Sequence, residues 1–199
     1  RCLGYYADKE EVVSLLKSAA EGFGEDYADR ADALRELGDF YQFHRAYDTA
    51  EMVLQQAWAY AEQSGSLEAK RTVSSAFHAM YFNAGEYEKS GDYLRRFLQM
   101  SMPDVDDRTM MYYYDGMGDI FYEMGNMDST AYYYGRLEEI LTREEPDCSA
   151  QNESAWWYYG ALANFAEMRG DFEKACEYMY WYEKHDAHYY IERQKNNLA

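Results

Sequence analysis

The 199-residue sequence predicts an all-α fold, a solenoid of antiparallel helix pairs. Three observations predict it. Short turn segments recur at intervals of 40, 40 and 45 residues, apolar residues between them follow helical spacing, and small residues recur at matching places around each turn. The turns are Arg45-Ala46-Tyr47, Gly85-Glu86-Tyr87, Gly125-Asn126-Met127 and Gly170-Asp171-Phe172. Glycine leads three of them because a helix that ends in the left-handed conformation favours a residue without a side chain. A unit of this size cannot bury its own apolar face and must stack on a neighbour.

The elements follow in order. Residues 1–30 carry one helix, with Asp8 as N-cap, Glu11 completing a box-like start, and Val12, Leu15, Leu16, Ala19 and Phe23 on one face. Gly22-Phe23-Gly24 ends it, and it is read as half of a degenerate leading unit that covers the open end of the stack. Residues 31–183 carry four units of about 40 residues. The third starts after Pro103 with Asp104 as N-cap, and Pro146 to Ser149 forms the longest loop. Residues 184–199 are a linking or capping helix. Small residues at Gly38, Gly118 and Ala163, and at Ala50, Ser90 and Ala175, let paired helices approach closely. His78 breaks this rule in the second unit. Either that hairpin closes less tightly or His78 is a buried polar group that needs a partner.

Composition narrows the function. Hydrophobic residues make up 48% and charged residues 28%, enough for a packed core. Lys and Arg number 19 against 37 Asp and Glu, a net charge of −18 that repels nucleic acid and anionic membrane surfaces. The longest apolar stretches are too short to span a bilayer. The 23 tyrosines include the runs Tyr112-Tyr113-Tyr114 and Tyr132-Tyr133-Tyr134, and Trp156-Trp157-Tyr158-Tyr159 adds another. Such runs are too wide for one core stripe, so some rings face outward.

No phosphate-binding glycine loop, nucleophile elbow or zinc-protease helix occurs, so no enzyme activity, catalytic residue or cofactor is expected. His185, His188 and Glu192 share a helical face but are read as a solvated terminal helix, with no metal expected. Asp104, Asp106 and Asp107 are read as helix-capping acids and not as a calcium loop. Cys2, Cys148 and Cys176 make no Cys-x-x-Cys pair, and Cys2 is read as an ordinary thiol in preference to a lipid-modified one. The start at Arg1, without an initiator Met or signal peptide, is read as that of a mature or excised segment.

Around the turns, the first unit presents Leu34, Leu37-Gly38, Tyr41, Tyr47, Ala50, Leu54 and Ala57; the second Phe77, Tyr81, Gly85, Tyr87, Ser90, Leu94 and Phe97. The third presents Tyr114, Met117-Gly118, Phe121, Gly125, Thr130, Tyr134 and Leu137. The fourth presents Tyr159, Leu162-Ala163, Ala166, Gly170, Phe172, Ala175, Met179 and Tyr182. These residues resemble the tetratricopeptide-repeat (TPR) pattern. The resemblance implies a right-handed TPR-like superhelical solenoid, with units longer than the family's minimal 34 residues by about two turns.

It also implies a concave groove lined from the first helix of each unit. The positions are Asp32, Arg35, Asp39, Gln42 and Phe43 in the first unit, and Thr72, Ser75, Ala79, Phe82 and Asn83 in the second. Tyr112, Asp115, Asp119, Tyr122 and Glu123 follow in the third, and Trp157, Gly160, Asn164, Glu167 and Met168 in the fourth. The basic clamp by which some members grip a peptide carboxyl terminus is absent, since Asp115 and Asp119 stand in its place. The expected partner is a protein or peptide with basic or aromatic side chains; the alternatives are a carbohydrate or small molecule in the same groove, or self-association. Binding is expected to concentrate in the third and fourth units. The segment Lys184 to Lys195 resembles the exit from extracytoplasmic TPR sensor regions of bacterial membrane histidine kinases and regulators. That resemblance implies a signalling role and a periplasmic or extracytoplasmic location, with a cytoplasmic one as the alternative.

Overall fold

The computed structural model describes residues 9–143 and 155–197. Among these residues the chain is helical with no strand: α1 (Lys9–Gly22), α2 (Tyr27–Phe43), α3 (Tyr47–Ser64), α4 (Leu67–Asn83), α5 (Tyr87–Ser101), α6 (Asp107–Glu123), α7 (Met127–Leu141), α8 (Ala155–Met168) and α9 (Phe172–Asn197). The order gives four helical hairpins, α2–α3, α4–α5, α6–α7 and α8–α9, a TPR-like repeat solenoid. Two compact units form, the first ending at Val105 and the second beginning at Asp106, each holding two hairpins.

The hairpin turns share one geometry. Arg45, Gly85, Gly125 and Gly170 have φ of 58°, 79°, 72° and 76°. The following amide then reaches back across the turn, as Glu86 N–H does to the Tyr81 carbonyl at 2.8 Å and Asn126 N–H to Phe121 at 2.9 Å. Carbonyls that the helix end would leave unpaired are thereby satisfied. Arg45 is the one non-glycine residue among the four.

Close approach within a hairpin depends on the small positions. A Cβ on Gly38 would lie 2.6 Å from Leu54 Cδ2, and one on Gly118 would strike the Tyr134 ring. In the second hairpin His78 is buried, and Ser90 stands opposite. The Ser90 hydroxyl donates to the His78 carbonyl at 2.9 Å, so it can only accept from His78 Nδ1–H at 2.8 Å. His78 is therefore the buried, partnered polar group. Burial pushes its pKa down to about 4.

Each unit has its own core. In the first, Leu34, Leu37, Leu54, Val73, Phe77, Met80 and Tyr81 are buried together. In the second, Met111, Tyr134, Leu137, Tyr159, Leu162 and Tyr178 are.

Several local expectations are corrected. Asp106, not Asp104, caps α6; it is extended, with φ −82° and ψ 164°, and accepts from Thr109 N–H at 2.8 Å, whereas Asp104 stays in the linker. On α1 Leu15 is exposed, as is Phe23 just past its end, while Val13, Leu16, Ala19 and Ala20 pack on the core, a narrower stripe turned by one residue. On α9, Tyr178 is buried and Met179 exposed, because the inner face steps from Ala175 by three residues. Phe172, aligned with Tyr47 and Tyr87, is also exposed. α2 begins at Tyr27, within the 1–30 span, and α9 runs past residue 184 without a break. Asp8 as N-cap and the Pro146 to Ser149 loop fall outside the described residues.

Candidate functional site

The groove positions are carried by α2 and α4 in the first unit and by α6 and α8 in the second. In the first unit, α2 and α4 flank a cleft of about 470 Å³. Asp32, Arg35 and Asp39 line it from α2; Thr72, Ser75 and Ala79 line it from α4. All six are groove positions read from the sequence. Of the other candidates there, Phe43 is exposed at the helix end against His44, Asn83 is exposed, Phe82 packs edge-on to Tyr87, and Gln42 buries an Oε1 with no hydrogen-bond partner.

The cleft's charges are largely paired. Arg35 meets Asp39 at 2.5 Å, Asp32 at 2.8 Å and Glu36 at 3.4 Å. Burial holds Asp39 above the ordinary carboxylate range, against the opposing pull of Arg35. Sequence reasoning missed four lining residues, Glu68, Arg71, Ala76 and Phe97. The Arg71 guanidinium lies 5.3 Å from the Phe97 ring centre and 3.5 Å from Glu68, while its Nε has no hydrogen-bond partner. Glu68 sits in the extra first turn by which α4 exceeds the minimal repeat; the Glu68/Arg71 pair at i, i+3 was the available signal.

In the second unit, α6 and α8 bring Asp115, Asp119 and Trp157 together. Asp115 is only 7% exposed, and its Oδ1 has no hydrogen-bond partner. Burial, then the neighbouring Asp119 charge, push its pKa up to about 8, although the Trp157 indole donates to it. Asp119 accepts from the Tyr134 hydroxyl, and burial holds its pKa high as well. Asp115, a groove position in the repeat pattern, is thus shielded from water with a second carboxylate beside it. Around this pair, Trp157 is 59% exposed, Tyr122 exposed and Tyr112 half-buried; Glu123, Asn164 and Glu167 are exposed.

Tyr134 and Tyr158 were missed as parts of this site. Tyr134 occupies a place that Leu54 and Leu94 take in earlier repeats, and a phenol in a leucine position signals a hydroxyl in need of an acceptor. Burial, then Asp115, raise the pKa of Tyr158. Among the described residues no group of three or more His, Cys, Asp or Glu is placed to hold a metal, and no helix is long and apolar enough to cross a membrane. Cys176 is exposed with a free thiol. The side chains of His185, His188 and Glu192, and Cys2 and Cys148, lie outside the described residues.

The fold is that of the helical TPR-like repeats. BtubC (BKLC) from P. vanneervenii is similar over 91% of this chain and 92% of its own, with 14% identity and a TM-score of 0.62. TPR-like repeats of a putative kinesin light chain from Podosopora anserina match at TM-score 0.65 and 14% identity, over 90% of this chain and 87% of theirs. A single-substitution variant of those repeats matches at 0.65 and 14%, over 94% and 89%. No protein-family model and no curated protein sequence matches the chain. At this identity the likeness establishes the fold.

Proposed function

We propose that the chain is a non-catalytic repeat module that binds a protein or peptide segment along the first helices of its repeats. In this reading it is the sensory or interaction region of a bacterial signalling protein, working outside the cytoplasm. The observation that carries the reading is the α2–α4 cleft, since six of its ten lining residues occupy positions expected to face a ligand. Its mixed lining suits a peptide. Carboxylates at Asp32 and Glu68 pair with basic side chains, the Arg71 Nε donates to a backbone carbonyl, and Phe97 offers an apolar wall.

The test selects peptides from a displayed random library and measures the best synthetic peptide by calorimetry. Ser75→Trp fills the cleft and is expected to weaken binding at least about tenfold, as removing a central contact region does. Wild-type affinity in that variant would rule out the cleft. A carbohydrate receptor is the second reading, favoured by the exposed Trp157 indole near the carboxylates of α6. A glycan that binds with little dependence on salt would support it.

A further inference from the structure

The first and third repeats differ at one pair of equivalent places. In the first, positions five and nine of the leading helix are Arg35 and Asp39, an ion pair at 2.5 Å. In the third they are Asp115 and Asp119, with Glu123 one further turn along the same face of α6. The third repeat thus puts a second carboxylate where the first supplies a guanidinium. Asp115 is more than nine-tenths buried, and its Oδ1 is unpartnered. Leaving a buried acceptor unpaired is costly, and the Trp157 indole is the donor that reaches this carboxyl, so Oδ1 has room for a further donor from a ligand.

From α6, Asp119 acts on Asp115, and Glu123 acts on Asp119. From α8 come the Trp157 indole N–H and the Tyr158 phenol, and from α7 the Tyr134 hydroxyl on Asp119. Arg108, a cation near the site, acts on Tyr158. Aromatic rings therefore surround a carboxylate pair. Trp157 lies on the exposed side.

We propose that Asp115 and Asp119 receive one guanidinium or ammonium group of a bound peptide, an Arg or Lys side chain that takes the place Arg35 holds in the first repeat and stacks on Trp157. This rests on the peptide-binding reading above and names the chemistry of its partner. Recognition of this kind combines carboxylate–guanidinium hydrogen bonds with cation–π contact. It exchanges one cation for one proton. With its pKa near 8, the Asp115 carboxyl holds its proton at pH 7 and releases it to solvent as the cation arrives.

The probe is the tripeptide acetyl-Gly-Arg-Gly-amide, with its citrulline analogue as the neutral isostere; Arg keeps its charge across the pH range used. Calorimetry at pH 7 in two buffers of different ionisation heat counts protons. The expected result is saturable binding of the Arg peptide, about one proton released per peptide, and no binding of the citrulline peptide. Affinity should rise roughly tenfold from pH 7 to pH 9, as the ionised fraction of a group with pKa near 8 does. Asp115→Asn should abolish proton release and weaken binding at least about tenfold. Asp119→Asn, checked for helicity by circular dichroism, should weaken binding likewise and carries the test if Asp115→Asn does not fold. Equal affinity for the two peptides, unchanged binding in a folded Asn variant, or no proton release overturns the inference. If Ser75→Trp loses its selected peptide while both Asn variants behave as wild type, the inference fails and the proposed function stands.

Discussion

The two units share a hairpin architecture but bury opposite kinds of titratable group. The first encloses a base, His78, which burial keeps neutral against the opposing pull of its hydrogen bond to Ser90; the second encloses an acid, Asp115, beside a second acid. The first also pairs its inward charges internally, as Arg35 does with Asp39 and the Tyr81 hydroxyl with Glu51 at 2.7 Å. Two hairpins per unit therefore set the framework without setting its proton preference. That preference is set most strongly by His78 in the first unit, against the smaller opposing shift of Asp39, and by Asp115 with Asp119 in the second, so the two units should respond to pH in opposite directions.

The largest expected effect is on the second unit. Asp115 titrates near 8 when folded and near 3.8 when unfolded, so the folded unit holds the extra proton between these values. Stability is full below about pH 4 and falls as pH rises through 8, by on the order of 5 kcal/mol from this group. Asp115→Asn should remove most of that slope, as urea melts at pH 5 and pH 9 can check.

The next largest has the opposite sign. His78 titrates near 6.5 unfolded and near 4 folded, so the unfolded chain takes up the proton first. The first unit keeps its full stability above pH 6.5 and loses it as pH falls through 4, by roughly 3 kcal/mol. His78→Gln should flatten this dependence.

How far the sequence foretold this contrast depends on the kind of contact. The repeat, its turns and its close-packing glycines were legible because each follows from chain spacing and from one residue's backbone or size. His78 stood out because a large polar ring replaced a glycine. The burial of Asp115 was not legible because its position faces a ligand in the repeat pattern, and the Trp157 and Tyr158 side chains that meet it come from about 40 residues away on α8. The six lining residues of the α2–α4 cleft were legible, yet Phe97 belongs to a second helix that the groove pattern does not include. Asp106 and Asp104 are near-identical cap candidates in sequence, and backbone conformation alone separates them.

Smaller effects sharpen the comparison through packing. Gly118→Ala drives a methyl into the Tyr134 ring, and Gly38→Ala drives one against the branched end of Leu54. Each should destabilise by about 2 kcal/mol, the former more, because a ring held by Asp119 yields less than a leucine rotamer. Thermal melts of the two variants compare them. The smallest effect concerns the turns: Arg45 alone bears a side chain in the left-handed conformation, so Arg45→Gly should stabilise the first unit by roughly 1 kcal/mol. Gly125→Val should destabilise the second by about as much or more.

Hydrogen exchange read helix by helix at pH 5 and pH 8, corrected for intrinsic rates, tests the opposed proton preferences most directly. Protection of α4 and α5 should be greater at pH 8, and protection of α6, α7 and α8 greater at pH 5. Protection that moves the same way in both units, or does not move in either, would contradict the account.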